Sequence, residues 1–335
     1  MTSASPRDTE LDVVGLGNAL VDVIAPTTEA FLDEHGLHKG SMSLVDTDQA
    51  QRLYDAMGQA VEVSGGSAAN TLAGIASFGG RAGFIGRVRD DQLGAVFAHD
   101  IRAAGVAFPI PPASEGLPTG RCLVAVTPDA QRTMSTLLGA AAQLGPEDVD
   151  EDLVAGAAIC YLEGYLFEQP AARAAFDKAA AVAHGAGRKV ALTLSDSFCV
   201  ERSPDGFRDL VERTVDVLFG NEDELRALYA TTSTEEALEH AQRWCDLIVV
   251  TRGAAGSTVV SGANRHDVAA APVDRVVDTT GAGDLFAAGF LHGLTSGRDL
   301  PVCARLGSMA AAEVISHLGA RPESSLAEIA GSVLD

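Results

Sequence analysis

The sequence contains few cysteines and few aromatic residues. Its five cysteines stand at positions 122, 160, 199, 245 and 303. No two of them are close together, which excludes a disulfide framework and a CxxC metal site. Aromatic residues make up 5% of the 335 residues, whereas hydrophobic residues make up 47%. Small aliphatic side chains must therefore form most of the core, as expected when helices pack closely on a sheet.

Positive charge is also scarce. The chain carries 24 Lys and Arg against 46 Asp and Glu, which gives a formal net charge of −22. Nucleic acids and anionic membranes require a basic surface, so neither is an expected partner. No run approaches the roughly 18 apolar residues of a membrane span. The first ten residues, MTSASPRDTE, lack the apolar segment of a signal peptide, and we expect a cytoplasmic protein.

Several common functional motifs are absent. The chain has no GxxxxGK[ST] and therefore no P-loop, and its eight histidines form no HExxH pattern. GLGNAL, residues 15–20, has the first two glycines of GxGxxG but Leu20 in the third place. A Rossmann dinucleotide site, and with it an NAD-dependent dehydrogenase, is therefore disfavoured.

Apolar runs and helical segments alternate along most of the chain. Strands are predicted at 11–17, 82–88 and, from 146 onward, at AICYLEG, KVALTLS, VDVLFG and DLIVV, with helices between them. A helix with Asp46 as its N-cap is predicted at 46–57, and three helices are predicted at about 281–297, 299–317 and 323–333. This repetition predicts an α/β fold with a mostly parallel central sheet flanked by helices. A proline-rich stretch at 108–120 precedes a predicted hairpin at 121–138, which we place in a small separate sheet.

The stretch DTTGAGD, residues 278–284, combines carboxylates with very small residues. A helix is predicted to start there, at the end of the sheet where ligands bind in open parallel sheets. The backbone N–H groups of Gly281, Ala282 and Gly283 are open to an anion at such a helix start. Asp284 is placed to take a proton from an attacking hydroxyl. In isolation, the same motif is more often a helix start with a capping acid.

Two further motifs contain groups suited to a sugar. In SGGSAANTLAG, Gly65 and Gly66 open a predicted helix and let a ligand approach the backbone. Asn70 follows one turn later and offers a donor and an acceptor to neighbouring hydroxyls. Asn18 and Asp22 lie near the end of the first strand, where a carboxylate can accept hydrogen bonds from a diol.

A fourth motif, GNEDEL at 220–225, follows a predicted strand. Asn221 and Glu224 share one helix face there and suit a hydrated Mg²⁺, an ion that prefers oxygen ligands and keeps several waters. Each of these motifs, taken alone, is more often a turn or a helix cap. Their occurrence together in one chain is more informative.

The motifs resemble the signatures of the ribokinase-like (PfkB) carbohydrate and nucleoside kinases. GGSAANTLAGIASFGGRAGFIGRVRDDQLG, residues 65–94, matches the N-terminal signature, and DTTGAGD matches the C-terminal one. Asn221 and Glu224 match the family's Asn-x-x-Glu element. The resemblance extends over residues 11–320 and implies one ribokinase-like domain, 1–335, with a small β-sheet lid formed by about 25–45 and 106–138.

The resemblance also implies roles for particular residues. Asp284 is the expected catalytic base, and the amides of Gly281, Ala282 and Gly283 form the expected anion hole for the γ-phosphate. The nucleotide side is expected to involve Thr251 and Gly253, with Glu224 holding Mg²⁺ through water beside Asn221. The residues expected to bind the acceptor substrate are Asn18, Asp22, Gly65, Gly66, Asn70, Arg132 and Tyr165.

Within the family, the segments GNALVDVIA, KGSMSLVD and TPDAQRTMSTLLGAA look most like adenosine kinases and their bacterial relatives. The resemblance implies transfer of the ATP γ-phosphate to the 5′-hydroxyl of adenosine. Met42, Leu137, Tyr165 and Leu166 are candidates for an apolar slot for the base, or for ordinary packing residues. Arg132 is a candidate for contacting the transferred phosphate.

Several alternatives remain open from sequence. The acceptor is either a nucleoside such as adenosine, inosine or guanosine, or a free sugar as in ribokinases and fructokinases. A non-catalytic nucleotide binder is disfavoured because Asp284 and its glycines are intact. The resemblance further implies ATP and Mg²⁺ as cofactors, K⁺ activation near DTT and residues 317–320, and either a monomer or a homodimer formed through the lid.

Overall fold

The computed structural model describes residues 9–129 and 131–331. Most of the polar N-terminal segment, residue 130 in the turn of the predicted hairpin, and the end of the last predicted helix lie outside these ranges. Two sheets organise the described chain, one of nine strands and one of five.

The nine-stranded sheet forms the centre of the molecule. In chain order its strands are β1 Leu11–Leu16, β5 Ala82–Ile85, β6 Val106–Ala107, β9 Ala157–Glu163, β10 Lys189–Thr193, β11 Val217–Asn221, β12 Leu247–Thr251, β13 Ser257–Ser261 and β14 Asn264–Val268. Their spatial order is β14-β13-β12-β11-β10-β9-β1-β5-β6. The seven strands from β12 to β6 pair in parallel, and β13 and β14 add an antiparallel edge. This confirms the predicted mostly parallel sheet.

The five-stranded sheet, here called the lid sheet, covers one end of the central sheet. Its strands are β2 Leu20–Pro26, β3 Met42–Leu44, β4 Val61–Gly65, β7 Gly120–Val126 and β8 Arg132–Leu137, in the order β3-β8-β7-β2-β4. The hairpin expected near 121–138 is the antiparallel pair β7 and β8. The lid sheet also includes β2 and β4, and residues 106–107 pair with the central sheet instead.

Helices connect the strands and pack beside them. They are α1 Glu29–Glu34, α2 Thr47–Ala56, α3 Ser67–Ser77, α4 Gln92–Ala103, α5 Glu151–Ala155, α6 Pro170–Gly185, α7 Ser197–Arg202, α8 Pro204–Thr214, α9 Glu222–Tyr229, α10 Thr234–Ala241, α11 Ala282–Thr295, α12 Leu300–Val314 and α13 Leu326–Ile329. None of the helices in the described ranges has both the length and the apolar character needed to cross a bilayer.

Local sequence signals explain where several helices begin. Asp46 caps α2 by accepting a hydrogen bond from the backbone N–H of Gln49 at 2.7 Å, as its position before the helix predicted. Helix α4 begins at Asp91 in the same way and buries Phe97 and Ile101 against the core. Helix α11 differs because a glycine, Gly281, occupies the cap position without a side chain to satisfy the first N–H groups. An unsatisfied helix start of this kind is suited to an anion.

Candidate active site

A cavity of about 1020 Å³ lies between the central sheet and the lid sheet. Residues at the carboxyl ends of five parallel strands line it: Asn18 after β1, Glu163 of β9, Thr193 of β10, Asn221 of β11 and Thr251 of β12. The start of α11 and the inner face of the lid sheet complete the lining. Ligands of open parallel sheets bind in this position, so the topology supports a binding site here.

Asp284 lies in the first turn of α11 and contacts the start of α3. Its Oδ1 accepts a hydrogen bond from the Ser67 hydroxyl at 2.6 Å, and its Oδ2 accepts one from the Asn70 amide at 3.0 Å. Burial raises the pKa of Asp284, while these two donors and the nearby charge of Arg321 counteract the increase. The carboxylate is thus held in one orientation beside the cavity, as a general base requires.

Gly281, Ala282 and Gly283 line the cavity next to Asp284. Gly281 has φ +80°, and a Cβ there would lie 2.8 Å from the Cβ of Ala320, so the turn requires glycine. A Cβ on Gly283 would meet nothing within 4 Å. Within the described chain, the N–H groups of Gly281 and Gly283 have no protein acceptor, whereas that of Ala282 donates to Thr279 O at 3.2 Å. Two of the three expected donors are therefore available to an anion.

Asp22 and its glycine neighbours form the wall that belongs to the lid sheet. Asp22 lines the cavity from β2 and packs against Gly65 of β4, where a Cβ would lie 2.5 Å from the carboxylate. Gly66 has φ +104°, and a Cβ there would lie 2.1 Å from the carbonyl oxygen of Asn18. Burial raises the pKa of Asp22 to about 6, although Arg132 and Arg321 lower it. Gly65 thus leaves room for the Asp22 carboxylate, and Gly66 lets the start of α3 approach Asn18.

Asn18 is held by Glu163, a residue that the motifs did not indicate. Glu163 Oε1 accepts from the side-chain amide of Asn18 at 2.7 Å and from its backbone N–H at 3.2 Å. Glu163 Oε2 accepts from the backbone N–H of Ala68 at 2.8 Å, which caps the start of α3. Burial raises the pKa of Glu163 to about 7 despite these three donors. Glu163 thus joins the ends of β1 and β9 to α3.

Asn70 is the clearest sign of a polar ligand. Its side chain is 5% exposed and lines the cavity. Its Nδ2 donates to Asp284, but its Oδ1 is buried without a partner in the described residues. Because an unpaired buried acceptor costs roughly 1–3 kcal/mol, such groups are usually satisfied by a ligand or by water. A hydroxyl of a bound substrate is suited to donate to this oxygen.

Asn221 and Glu224 line the cavity and bind each other as a helix cap. Asn221 Oδ1 accepts from the Glu224 N–H at 2.9 Å, and both carboxylate oxygens of Glu224 accept from Asn221, at 2.6 and 3.0 Å. A hydrated Mg²⁺, which binds through its waters, would leave all three hydrogen bonds in place. Burial raises the pKa of Glu224 to about 7, and a nearby cation would favour its charged form.

Of four other residues predicted to bind the nucleotide or the acceptor substrate, two line the cavity and two do not. Thr251 and Tyr165 line the cavity. Gly253 is not among the lining residues and lies in a 3-10 turn, Gly253–Ala255, with φ +55°. Gly65 reaches the cavity only through its contact with Asp22.

Arg132 joins the lid sheet to the segment before the candidate anion hole. Its guanidinium forms an ion pair with Asp278, and both side chains are less than 10% exposed. Asp278 also accepts hydrogen bonds from the Thr280 N–H at 3.0 Å and the Gly319 N–H at 3.1 Å. Burial acts to raise the pKa of Asp278, but these donors and Arg132 bring it below its usual range. The pair therefore holds the lid sheet against the start of α11.

We expect Arg132→Gln to lower kcat by about tenfold or more, since small displacements of catalytic groups have effects of this size. Coupled measurement of the release of ADP, the product that the resemblance implies, tests this. Lys39→Gln is the matched control, because Lys39 also pairs within the lid region, with Glu29 and with Asp129 at 2.7 Å, but at the surface. Equal losses in the two variants would contradict a special role for the buried pair.

Apolar side chains occupy the part of the cavity beneath the lid sheet. Side chains alternate between the two faces of a strand, and on β8 the residues facing the cavity are Arg132, Met134 and Thr136, followed by Leu138. Leu137, one position away, is 6% exposed and does not line the cavity. The prediction of Leu137 in the slot was therefore off by one residue, and Leu166 is likewise packed in the core. The residues that form this apolar slot are Leu20, Met42, Leu44, Val124, Met134, Leu138, Tyr165 and Phe198.

The chain is similar to known kinases over most of its length. The profile of the pfkB family carbohydrate kinases matches residues 41–326. The adenosine kinase of Saccharomyces cerevisiae is 30% identical over 332 residues, which cover 92% of this chain and 95% of the yeast protein. The family match includes both glycine-rich motifs, 65–94 and 278–284.

Two solved structures are more similar in sequence. The adenosine kinase from Sinorhizobium meliloti is 51% identical, with a TM-score of 0.89 over 96% of this chain and 99% of that one. A probable sugar kinase protein from Rhizobium etli CFN 42 is 46% identical, with a TM-score of 0.89 over 97% and 98% of the two chains. The predicted ribokinase-like α/β fold is thereby confirmed, and the chain is a kinase that belongs to the pfkB family of carbohydrate kinases.

Proposed function

We propose that this chain transfers the γ-phosphate of ATP to the primary hydroxyl of a nucleoside, with the 5′-hydroxyl of adenosine as the preferred acceptor. The observation that carries the proposal is the position of Asp284. Its carboxylate lies beside the open N–H groups of Gly281 and Gly283, at the inner end of a cavity whose other end is apolar. The similarity to adenosine kinases supports the choice of acceptor.

The proposed chemical step uses Asp284 and the start of α11. Asp284 accepts the proton of the attacking hydroxyl as its oxygen bonds to the γ-phosphorus. The bond from that phosphorus to the bridging oxygen of the β-phosphate breaks at the same time, and ADP leaves. The N–H groups of Gly281 and Gly283 donate to the equatorial oxygens of the phosphoryl group, where negative charge accumulates. Ser67 and Asn70 keep the carboxylate oriented, since each donates to one of its oxygens.

The cofactors follow from the family and from the cavity wall. ATP is the phosphoryl donor of a kinase of this kind, and we place its phosphates between the start of α11 and Thr251. Asn221 and Glu224 would hold a hydrated Mg²⁺, which supplies charge neutralisation of the phosphates. We also propose activation by K⁺, as the resemblance implies, near Asp278 and Gly319, which hydrogen-bond at 3.1 Å.

The acceptor side of the cavity suits a nucleoside because it is polar at one end and apolar at the other. Asp22, Asn18 and Asn70 present carboxylate and amide groups suited to the hydroxyls of a ribose. Met42, Leu44 and Phe198 are between 50% and 69% exposed and line the opposite part of the cavity. Large exposed apolar side chains at one site indicate a ligand surface, and a purine base would cover these three.

A free sugar is the second candidate acceptor. The similarity to the probable sugar kinase protein from Rhizobium etli favours it, and the polar end of the cavity is sufficient for a sugar. A free sugar would, however, leave the apolar slot uncovered. The two candidates therefore differ in whether Met42, Leu44 and Phe198 contribute to binding.

An assay of ADP release with Mg²⁺ and ATP tests the proposal against adenosine, inosine, guanosine, ribose and fructose, each with and without K⁺. We expect the highest kcat/KM with adenosine. Phe198→Ala should raise the KM for adenosine and leave any turnover of ribose unchanged, whereas Trp244→Ala, an exposed aromatic residue outside the cavity, should change neither. Turnover confined to ribose or fructose would assign the chain to the sugar kinases.

Nucleoside affinity should depend on pH through Asp22, whose pKa is about 6. The ionised carboxylate accepts hydrogen bonds from the ribose diol, so affinity should be full above pH 7 and fall as Asp22 is protonated. One unit below that pKa, the dissociation constant should rise by about tenfold. Calorimetric titration of adenosine without ATP, at pH 5 and pH 8, measures the change. The same pH dependence in Asp22→Asn would show that another group is responsible.

A further inference from the structure

Arg321 lies after α12 and reaches the polar end of the cavity from outside its lining. Its Nη2 donates to the backbone oxygen of Ser64 at 3.0 Å and to the Ser64 hydroxyl at 2.9 Å. Its Nε is buried and has no acceptor in the described chain. The guanidinium is thus fixed by one residue of β4, 257 positions away in sequence.

Ser64 is itself fixed by Asp100 of α4. Asp100 Oδ2 accepts from the Ser64 hydroxyl at 2.6 Å and from its backbone N–H at 2.7 Å. The next residue, Gly65, is the one whose missing Cβ lets Asp22 pack against β4. The contacts from Asp100 through Ser64 therefore place Arg321 beside Asp22, and the charges of Asp22 and Asp284 both act on Arg321.

A nearby cation favours the ionised forms of two neighbouring carboxylates, because each negative charge otherwise raises the pKa of the other. Arg132 acts on Asp22 as well, but its guanidinium is engaged by Asp278. Arg321 acts on both carboxylates and has no carboxylate partner within hydrogen-bonding distance in the described residues. The charged and titratable groups that face Asp22 or Asp284 are Arg132, Arg321, Glu163, Cys122, Tyr161 and Tyr165.

We propose that Arg321 is a positioning residue that keeps Asp22 and Asp284 ionised together. In that protonation state Asp22 can bind the substrate diol while Asp284 can accept the proton of the attacking hydroxyl. The proposal rests on the proposed function of these two carboxylates. It assigns no contact with substrate to Arg321. The positive charge at 321 acts from behind the cavity wall, and Ser64 and Asp100 fix its location.

The effects of these charges on one another's pKa values agree with this arrangement. Burial lowers the pKa of Arg321 to about 10, while Asp100, Asp22 and Asp284 act to raise it. Arg321 is therefore charged at neutral pH. Loss of its charge should raise the pKa values of Asp22 and Asp284, and both residues should then take up protons at higher pH than in the wild type.

The test compares Arg321→Gln, Arg321→Met and Arg321→Lys with the wild type. Gln and Met remove the charge, and Met keeps much of the length of the side chain, whereas Lys keeps the charge but loses the planar fork. The pH dependence of kcat/KM is measured from pH 5 to 9. At pH 6 we expect the neutral variants to lose about tenfold or more in kcat/KM, with a much smaller loss at pH 8.5 and little change in the shape of the Lys profile.

Carboxyl titration by ¹³C NMR of aspartate-labelled protein provides a readout that does not depend on turnover. The signals are assigned with Asp22→Asn and Asp284→Asn, and folding of every variant is checked by circular dichroism. Two carboxyl titrations that move to higher pH in a folded neutral variant support the proposal even if no nucleoside is phosphorylated. Unmoved titrations, or an activity loss that is the same at every pH, overturn it, whereas an inactive wild type overturns the proposed function alone.

Discussion

Asp284→Asn is expected to lower kcat by about 100-fold or more, the scale of a lost general base. The amide cannot accept the proton of the attacking hydroxyl, and it replaces a carboxylate that now accepts from Ser67 and Asn70. Adenosine affinity should change far less, because Asp22, Asn18 and the apolar slot remain. The measurement is kcat from ADP release, together with calorimetric titration of adenosine.

Two variants make this result interpretable. Ser67→Ala removes one donor to Asp284 and should cause a smaller loss of kcat than Asp284→Asn does, because the base itself remains. Asp209→Asn removes a surface carboxylate that pairs with Arg213 and should have no effect. If Asp284→Asn retained near-normal turnover with an unchanged melting temperature, Asp284 could not be the base.

Gly66→Ala is expected to lower kcat/KM for the nucleoside by about 100-fold, because shifts of about 1 Å in binding groups have effects of this size. The new Cβ would lie 2.1 Å from the carbonyl oxygen of Asn18, and φ at this position is +104°. Relief of that contact must move Asn18 or the start of α3, and both carry groups that face the substrate. The protein should also melt several degrees lower.

Gly79→Ala is the matched control for Gly66→Ala. Gly79 follows the other end of α3 with φ +84°, but a Cβ there meets nothing within 4 Å. This variant carries the backbone strain without the collision and should lose roughly 1–2 kcal/mol of stability. Its kcat/KM should remain that of the wild type. An equal loss of kcat/KM in both variants would attribute the effect to general destabilisation.

Local patterns predicted much of the fold correctly. Six of the seven parallel strands, the cap at Asp46 and the two helices beginning near 281 and 299 appear within a few residues of their predicted bounds, whereas the two-residue strand β6 was not predicted. These features depend on hydrophobic periodicity and on nearby capping groups, which a single sequence contains. The predicted third C-terminal helix, 323–333, is represented in the described residues by the short α13.

The rest of the site depends on contacts between distant parts of the chain. Ser67 and Asp284 are 217 positions apart, and Glu163 holds Asn18 across 145 positions. No local sequence feature marks Ser67 as a functional residue. The only such feature of Glu163 is that it is a single acidic residue at the end of an apolar strand. Arg321 stands directly after the HLGA segment, 317–320, but only its contact with Ser64 reveals a role.

The lid sheet shows a second limit of sequence reasoning. Strand β4, Val61–Gly65, was not predicted, because it is short and only partly apolar, and pairing with β2 stabilises it. The choice of Leu137 in place of Leu138 for the apolar slot has a similar origin. A shift of one residue moves a side chain to the opposite face of a strand, and only the pairing of β7 with β8 fixes which face is which.

The most direct test of the central claim is ³¹P NMR analysis of the products formed from Mg²⁺-ATP and adenosine, with 5′-deoxyadenosine as the control acceptor. We expect equal amounts of ADP and adenosine 5′-monophosphate, and no transfer to 5′-deoxyadenosine, which lacks the reacting hydroxyl but retains the diol and the base. Phosphate on a different hydroxyl, or transfer to free ribose but not to adenosine, would contradict a nucleoside 5′-kinase.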